Sequence, residues 1–463
     1  MLKNFLTRFF TPIRLTVTSF VLVILAGTIL LALPVSSNGE KLQLVDVLFV
    51  STSAVCVTGL SPIDISAKLS FFGQCVVLVL MQIGGLGLMT FTTLFSVSFG
   101  KRLGIVDRLA IQETFLHSRS SQITKLIFRI VGATLLIEAA GTLLLFVYWL
   151  IRGQFESVGQ TFFYALFHTV SAFTHGSFAL FPDSLIRFQK DFFVISVMTT
   201  LIVLGGLGFL VGSEIFDFLT EKVVLRKTVR PIRVSVQTKL TLVTMVCLLF
   251  FGTFLLFWIE QQRAFAEMSF FEALINSWFF AVVPRTSGFN TVEMSSLNGA
   301  SLLLLIILMF IGGTSGSTAG GIKTNTFGLL IAYSFKRLRG ENRLHLFKRT
   351  IAPETISRAS AIVTTSFAVV IIATAILMLS ETGNLSSTES QTKFLPVLFE
   401  TVSAFGTVGL SLGITAELST LGKLVLCVVM FVGRIGALSL GLAMSLREKR
   451  TDFSYAEENI MIG

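Results

Sequence analysis

The sequence predicts an all-α polytopic membrane protein assembled from four pseudo-repeats of helix, re-entrant loop and helix. Three observations predict it: scarce charge, many long apolar segments, and two landmarks that recur in register four times. Of 463 residues, 53% are hydrophobic and 13% charged, the charged share being about half the usual. Mean hydropathy is +0.83. A soluble chain of this length would split into domains with charged surfaces, and this composition cannot cover them. It equally excludes a disordered, collagen-like or disulfide-rich chain. Cys56, Cys75, Cys247 and Cys427 lie in apolar segments without CxxC spacing, so neither a metal site nor a disulfide framework is expected.

Apolar segments run over 15–33, 69–100, 127–150, 191–220, 238–259, 301–335, 359–379 and 421–445. Each is long enough for a bilayer core, which takes about 20 helical residues. The runs are continuous rather than alternating, which fits helices and not a barrel. The basic start MLKNFLTRFFTPIR is followed by no small-residue cleavage site, so 15–33 is read as the first membrane helix. Eight crossings put both termini on one side. Of 36 Lys and Arg, 25 fall with the N-terminus, the loops near 101–129, 222–239 and 336–358, and the C-terminal tail. Eight fall in the opposite loops, and Arg285, Lys323 and Arg434 lie in or beside membrane segments. This bias predicts a multi-pass cell-membrane protein with both termini cytoplasmic. The net charge of +10 then reflects topology and anionic lipid, with no nucleic acid needed.

Between the helices of each pair lies a shorter, half-polar stretch. The four are FVSTSAVCVTGL (49–60), FHTVSAFTHGSF (167–178), SWFFAVVPRTSGF (277–289) and FETVSAFGTVGL (399–410). Three carry Ser-Ala six and five residues before a common point, occupied by Gly59, Ser177, Gly288 and Gly409. The second helix of each unit carries IGGLG (83–87), LGGLG (204–208), IGGTSG (311–316) or VGRIG (432–436). Its first Gly follows the common point by 25, 28, 24 and 24 residues. Internal repetition of this kind decides a fold class. The repeats are assigned to 1–110, 111–230, 231–350 and 351–446, with a cytoplasmic tail over 447–463.

Four such units can surround a central ion pore. A re-entrant loop cannot expose backbone to lipid, but it can line a watery cavity. A half-helix entering the membrane aims the negative end of its dipole inward and favours a cation. Extended Ser, Thr, Val and Gly residues after it would present carbonyl oxygens to the axis, and carbonyl rings replacing a hydration shell are how potassium filters work. The strips are Val57-Thr58-Gly59, His175-Gly176-Ser177, Thr286-Ser287-Gly288 and Thr407-Val408-Gly409.

Residues TSAVCVTGL, MQIGGLGLMT, YALFHTVSAF, RTSGFN, GGIK, FETVSAF, TVGLS and VGRIG, in that order, make the whole chain similar to the Trk/Ktr/HKT superfamily of potassium transporters and to its bacterial KtrB branch. The resemblance implies K+ uptake through the backbone carbonyls of the four strips, K+ being the transported ion and Na+ a second candidate. It implies a homodimer and a cytoplasmic KtrA-type nucleotide-binding ring as regulator. No organic cofactor and no enzyme activity are expected of this chain. A less selective K+/Na+ channel working without a regulator is the alternative.

Ser177 departs from the Gly expected at that point. Either the strip slips and Gly176 takes the role, or Ser177 holds an awkward backbone angle helped by its hydroxyl. In both cases a weaker preference for K+ over Na+ is expected. His175 beside it is read as support behind the filter, with external pH sensing as the other reading. The run Gly312-Gly313-Thr314-Ser315-Gly316-Ser317-Thr318-Ala319-Gly320-Gly321 cannot be a sound helix interior. It resembles the intramembrane gating loop of the family, with Lys323 as an anchor. It nearly spells a phosphate loop, but Ile322 breaks the required Gly-Lys-Ser/Thr order. Arg434 replaces a Gly of the other repeats and, as a charge inside the membrane, is expected to pair with carbonyls of that loop. Glu138 lies mid-helix facing a polar interior, as a structural partner or a cation contact, and the sequence leaves both open. Arg285 is read as a buttress for the third strip, paired with Glu400. Gly409-x-Ser411-x-Gly413 matches a hydrolase elbow in letters only, without the sheet or partners it needs.

Overall fold

The computed structural model describes residues 12–39, 41–87, 123–220, 234–341, 343–383 and 386–436. The tail 447–463 and much of the basic loops near 101–129 and 222–239 lie outside these residues. Repeat 1 holds α1 (Pro12–Ala32), α2 (Leu44–Cys56) and α3 (Phe71–Leu86). Repeat 2 holds α4 (Ile123–Arg152), α5 (Val158–Thr174), α6 (Phe192–Gly206) and α7 (Phe209–Leu219). Repeat 3 holds α8 (Val236–Glu260), α9 (Phe270–Val282), α10 (Gly299–Phe310) and α11 (Thr324–Leu338). Repeat 4 holds α12 (Pro353–Thr382), α13 (Ser387–Gly406) and α14 (Thr420–Ile435). A two-residue hairpin, His345–Leu346 with Arg349–Thr350, joins the last two repeats.

Each repeat is thus a long helix, a short helix ending in a strip, and a second helix. The second helices start alike because Ser70, Asp191, Asn298 and Ser419 each accept a backbone N–H of the first turn. Such caps satisfy donors that have no partner within the helix. The short helices α9 and α13 start with reciprocal capping boxes, Ser269 with Glu272 and Ser386 with Glu389. Those serine hydrogen bonds hold both glutamate carboxyls below their ordinary pKa.

The second helices depart from expectation. Segments 69–100, 191–220 and 421–445 read as unbroken crossings, and only repeat 3 was expected to break. In the structure all four break at the shared glycine landmark. α3 stops before Gly87, α6 before Gly208 and α14 before Gly436, at φ of +80°, +81° and +94°. Beyond the break in repeat 2, α7 runs at 98° to α6. Hydropathy is blind to this, because a glycine at positive φ costs the apolar run nothing. Among the described residues three straight helices meet the length and hydropathy of a full crossing, Ile127–Arg152, Val236–Glu260 and Pro353–Thr382, and the bent α6–α7 pair makes a fourth.

The first glycine of the landmark in repeats 1, 2 and 4 has one packing reason, while Gly312 of repeat 3 lies against Gly320 of its own loop. A Cβ at Gly84, Gly205 or Gly433 would lie 2.2, 2.1 or 1.9 Å from the carbonyl oxygen of Val55, Phe173 or Phe405, in the last turn of the same repeat's short helix. The second helix therefore lies directly against the turn that launches the strip. Each second helix also packs on the short helix of the next repeat: α3 on α5, α6 on α9, α10 on α13, and α14 back on α2. The arrangement is a closed ring, and the short helices fill its centre with Phe49, Phe167, Phe279 and Phe399 fully buried. At the α14–α2 seam, Lys423 Nζ meets Asp46 Oδ1 at 2.7 Å.

Candidate functional site: four strips above an intramembrane loop

The register seen in the sequence reappears in the backbone. Two residues before each common point the chain turns left-handed, at Val57 (φ 58°), His175 (65°), Thr286 (75°) and Thr407 (53°). None is glycine, and three are β-branched, for which this region is costly. The turn ends the short helix and reverses the next amide toward it. Thr58, Gly176 and Val408 N–H donate to Ser53, Ser171 and Ser403 carbonyls at 2.7–2.8 Å, and Ser287 N–H donates to Val283 O at 2.9 Å. Strip amides so directed leave the strip carbonyls to face elsewhere.

The Ser-Ala repeat has a job the spacing did not reveal. Ser53 Oγ accepts from Gly59 N–H at 3.0 Å, and Ser403 Oγ accepts from Gly409 N–H at 3.1 Å. Ser171 Oγ instead donates to Phe178 O at 2.7 Å. Repeat 3 has Val282 there and no such bond to offer.

The four common points converge. A Cβ at Gly59 would fall 2.1 Å from Ser177 Cβ, one at Gly409 would fall 2.2 Å from Thr58 O, and one at Gly288 would fall 2.4 Å from Val408 O. All four line a vestibule of about 380 Å³, with Asp64, Ser411 and Thr415 on its wall. Gly59, Ser177 and Gly409 stand at φ of +89°, +63° and +95°. Gly288 stands outside the left-handed region, so the fourfold backbone match is broken at that point.

Ser177 itself holds the left-handed angle, in register with Gly59 and Gly409, and the strip does not slip to Gly176. Gly176 packs instead on Met81, whose Sδ would be 2.2 Å from its Cβ. The Ser177 hydroxyl donates to Val408 O in strip 4 at 2.8 Å. His175 is fully buried. Its Nδ1 lies 2.6 Å from Thr286 Oγ1 and 3.0 Å from Arg285 O, and its Nε2 lies 3.0 Å from Ile202 O. The ring thus ties strip 2 to strip 3 and to α6, and it has no face on the vestibule. Thr58, Ser287 and Thr407 have buried hydroxyls without a protein partner.

The loop 312–321 lies beneath the strips. Its ends meet where Ile311 pairs with Ile322, and Thr324 Oγ1 and N–H close it onto Gly312 and Gly313 carbonyls at 2.9 Å. Gly320 sits against Thr407, whose Oγ1 would be 2.2 Å from a Cβ there. Thr314 Oγ1 donates to Leu207 O at 2.6 Å, and Thr318 Oγ1 to Gly205 O at 3.2 Å. Phe209 N–H, opening α7, donates to Gly316 O at 3.0 Å. Lys323 Nζ donates to Ala319 O at 2.6 Å. Arg434 donates from Nη1 to Thr318 O and from Nη2 to Gly84 O. The expected contact of Arg434 with loop carbonyls is therefore present, and a tie to repeat 1 comes with it.

Arg285 does not meet Glu400. Its Nη2 donates to Met245 O at 3.3 Å, while Glu400 accepts from Thr415 Oγ1. The reason is direction: Arg285 follows the last turn of α9 and points back to α8, away from repeat 4. Glu138 Oε2 accepts from Gln82 Nε2 at 3.0 Å. All four cysteines are free.

The chain matches the TrkH family, described as cation transport protein, over residues 5–454. It is 34% identical to the potassium/sodium uptake protein NtpJ of Enterococcus hirae across the full length of both chains. It is 36% identical to the Ktr system potassium uptake protein B of Vibrio alginolyticus, covering 97% of this chain and 94% of that one. It is 34% identical to the Ktr system potassium uptake protein D of Bacillus subtilis, covering 98% and 97%. The crystal structure of the potassium transporter TrkH from Vibrio parahaemolyticus superposes with a TM-score of 0.70 at 18% identity, over 92% of this chain and 84% of that one, a likeness of fold.

Proposed function

Because this chain belongs to the TrkH family of cation transport proteins, we propose that it is the ion-translocating subunit of a K+ uptake system. It is a membrane transport protein and not an enzyme. The observation that carries the finer reading is the convergence of four common points on one vestibule, each two residues after a left-handed turn. The strips act as the K+ selectivity filter, with carbonyls replacing water around the ion. The short helices add the negative ends of their dipoles. The loop 312–321 acts as the gate, latched by Arg434, whose charge also opposes a cation below the strips. The charge asymmetry of the loops supports cytoplasmic termini. The system names of the Ktr relatives support a multi-component assembly; the homodimer and the cytoplasmic nucleotide-binding ring that moves the gate are what the family resemblance adds to that reading.

A second reading rests on Ser177. Its hydroxyl takes the Val408 carbonyl, which a dehydrated ion must win back. A net hydrogen bond of about 1 kcal/mol would cost K+ about fivefold at that ring. A relative named for both potassium and sodium uptake agrees with a filter of modest selectivity.

The test is uptake of K+, Rb+ and Na+ into proteoliposomes holding this chain, its Ser177→Gly variant, and a variant lacking 312–321. The loop deletion should conduct freely, and Ser177→Gly should raise the K+/Na+ ratio about fivefold. No flux from the loop deletion would overturn the pore. An unchanged ratio would overturn the role of Ser177.

A further inference from the structure

Away from the axis, α4 carries an oxygen-rich stripe through its middle. Thr134, Glu138 and Thr142 are four residues apart and so share one face. All three are buried, at 1%, 4% and 5% exposure. Many threonines of other helices here turn the hydroxyl back to the carbonyl four residues earlier, as Thr28, Thr199 and Thr401 do, Thr374 being an exception. Thr134 and Thr142 do not, and neither does Thr169 on α5; their Oγ1 atoms have no partner in the protein. Thr169 belongs to the same place, because a Cβ at Gly141 would lie 2.9 Å from its γ-methyl carbon. From repeat 1, Gln82 on α3 donates to Glu138 Oε2 at 3.0 Å. That is the one hydrogen-bond partner of Glu138 among the described residues. Gln82 Oε1 and Glu138 Oε1 are buried and unpartnered.

Unpartnered buried oxygens on three helices therefore lie about one carboxylate at membrane depth, with Gln82 in contact with it, Thr142 one turn along α4 and Thr169 across from Gly141. A buried carboxylate without a counter-charge costs several kcal/mol. One negative charge among neutral oxygens is balanced by one positive charge, and a divalent ion would leave the site cationic. Hard alkali cations take this all-oxygen chemistry.

We propose that Glu138 Oε1, Gln82 Oε1 and the hydroxyls of Thr142 and Thr169 bind a single dehydrated alkali cation, at a site separate from the four strips, which bridges repeat 1 to repeat 2. The site does not rest on the pore reading.

The experiment is equilibrium binding of 22Na+ and 86Rb+ to the purified full chain in detergent. Wild type is compared with Glu138→Gln, Thr142→Val and Thr169→Val, each eluting as wild type does. Cations in the strips count equally in all four proteins, so the difference does not depend on conduction. Wild type should bind one more cation per chain than Glu138→Gln, and the isotope that loses the increment names the ion. The threonine variants should keep the count with affinity lowered about tenfold, the effect of about 1.4 kcal/mol. Equal counts of both isotopes in wild type and Glu138→Gln would overturn the site, since Glu138 would then be a protonated hydrogen-bond partner only. If Glu138→Gln does not elute as folded, wild-type affinity in both threonine variants overturns it instead.

Discussion

Ser53 and Ser403 each lend a hydroxyl to the amide six residues on, and that amide belongs to the glycine at the common point. Removing the hydroxyl strands a buried donor, at a cost of about 1–3 kcal/mol. Ser403→Ala should therefore melt earlier than wild type and lose K+/Na+ preference, whereas Thr392→Ala, on an exposed turn of the same helix, should do neither. Thermal unfolding and the flux ratio together check this. The serine repeat was plain in the sequence as spacing, but its use was not, because spacing carries no side-chain direction. The left-handed turn at Val57, His175, Thr286 and Thr407 was also hidden, since positive φ is sought at glycine. At Ser177 the sequence left two readings, and a single hydrogen bond to Val408 separates them. Gly288 is the reverse case: a glycine in the right place that does not use its freedom.

At the scale of elements, the glycine landmarks do two things at once. In repeats 1, 2 and 4 their first glycine admits the carbonyl of a short helix, and their last stands where the second helix ends. Gly433→Ala would press a methyl into Phe405 O, and overpacking of this kind costs about 1–3 kcal/mol. It should lower the melting temperature and distort strip 4, which a drop in both stability and K+ uptake would register. The sequence marked these glycines as recurrent but read the segments as straight, because an apolar run looks continuous whatever its φ. The loop 312–321 was legible from composition, since so much glycine inside a membrane segment has few other uses. Its proposed latch is a separate matter of charge. Arg434→Ala removes donors to both Thr318 O and Gly84 O. It should raise basal K+ flux in proteoliposomes several-fold while Arg434→Lys, which keeps the charge but not the two-armed reach, falls between.

Across the whole molecule, stability depends on closing the ring between repeat 4 and repeat 1. Lys423 and Asp46 make that contact with side chains only 11% and 12% exposed. Lys423→Met should leave Asp46 unbalanced and cost about 1–3 kcal/mol. Adding Asp46→Asn should restore most of it, because the lost energy is largely that of the orphaned charge. A melting series of the two single variants and the double variant checks this. The four-repeat plan was readable from end to end, because two landmarks repeat at nearly constant distance. The ring closure was not, since no local pattern says which helix of repeat 4 touches which helix of repeat 1.

Both ties across that seam come from α14, the last helix described. Lys423 reaches the first short helix, and Arg434 joins the loop of repeat 3 to Gly84 of repeat 1. On the ribosome, the first cannot form until residue 423 has emerged, nor the second until residue 434 has. Up to that moment the four repeats form an open arc, and the loop of repeat 3 lacks its tie to repeat 1. Closure of the ring and the hold on the loop of repeat 3 thus arise together, from one helix.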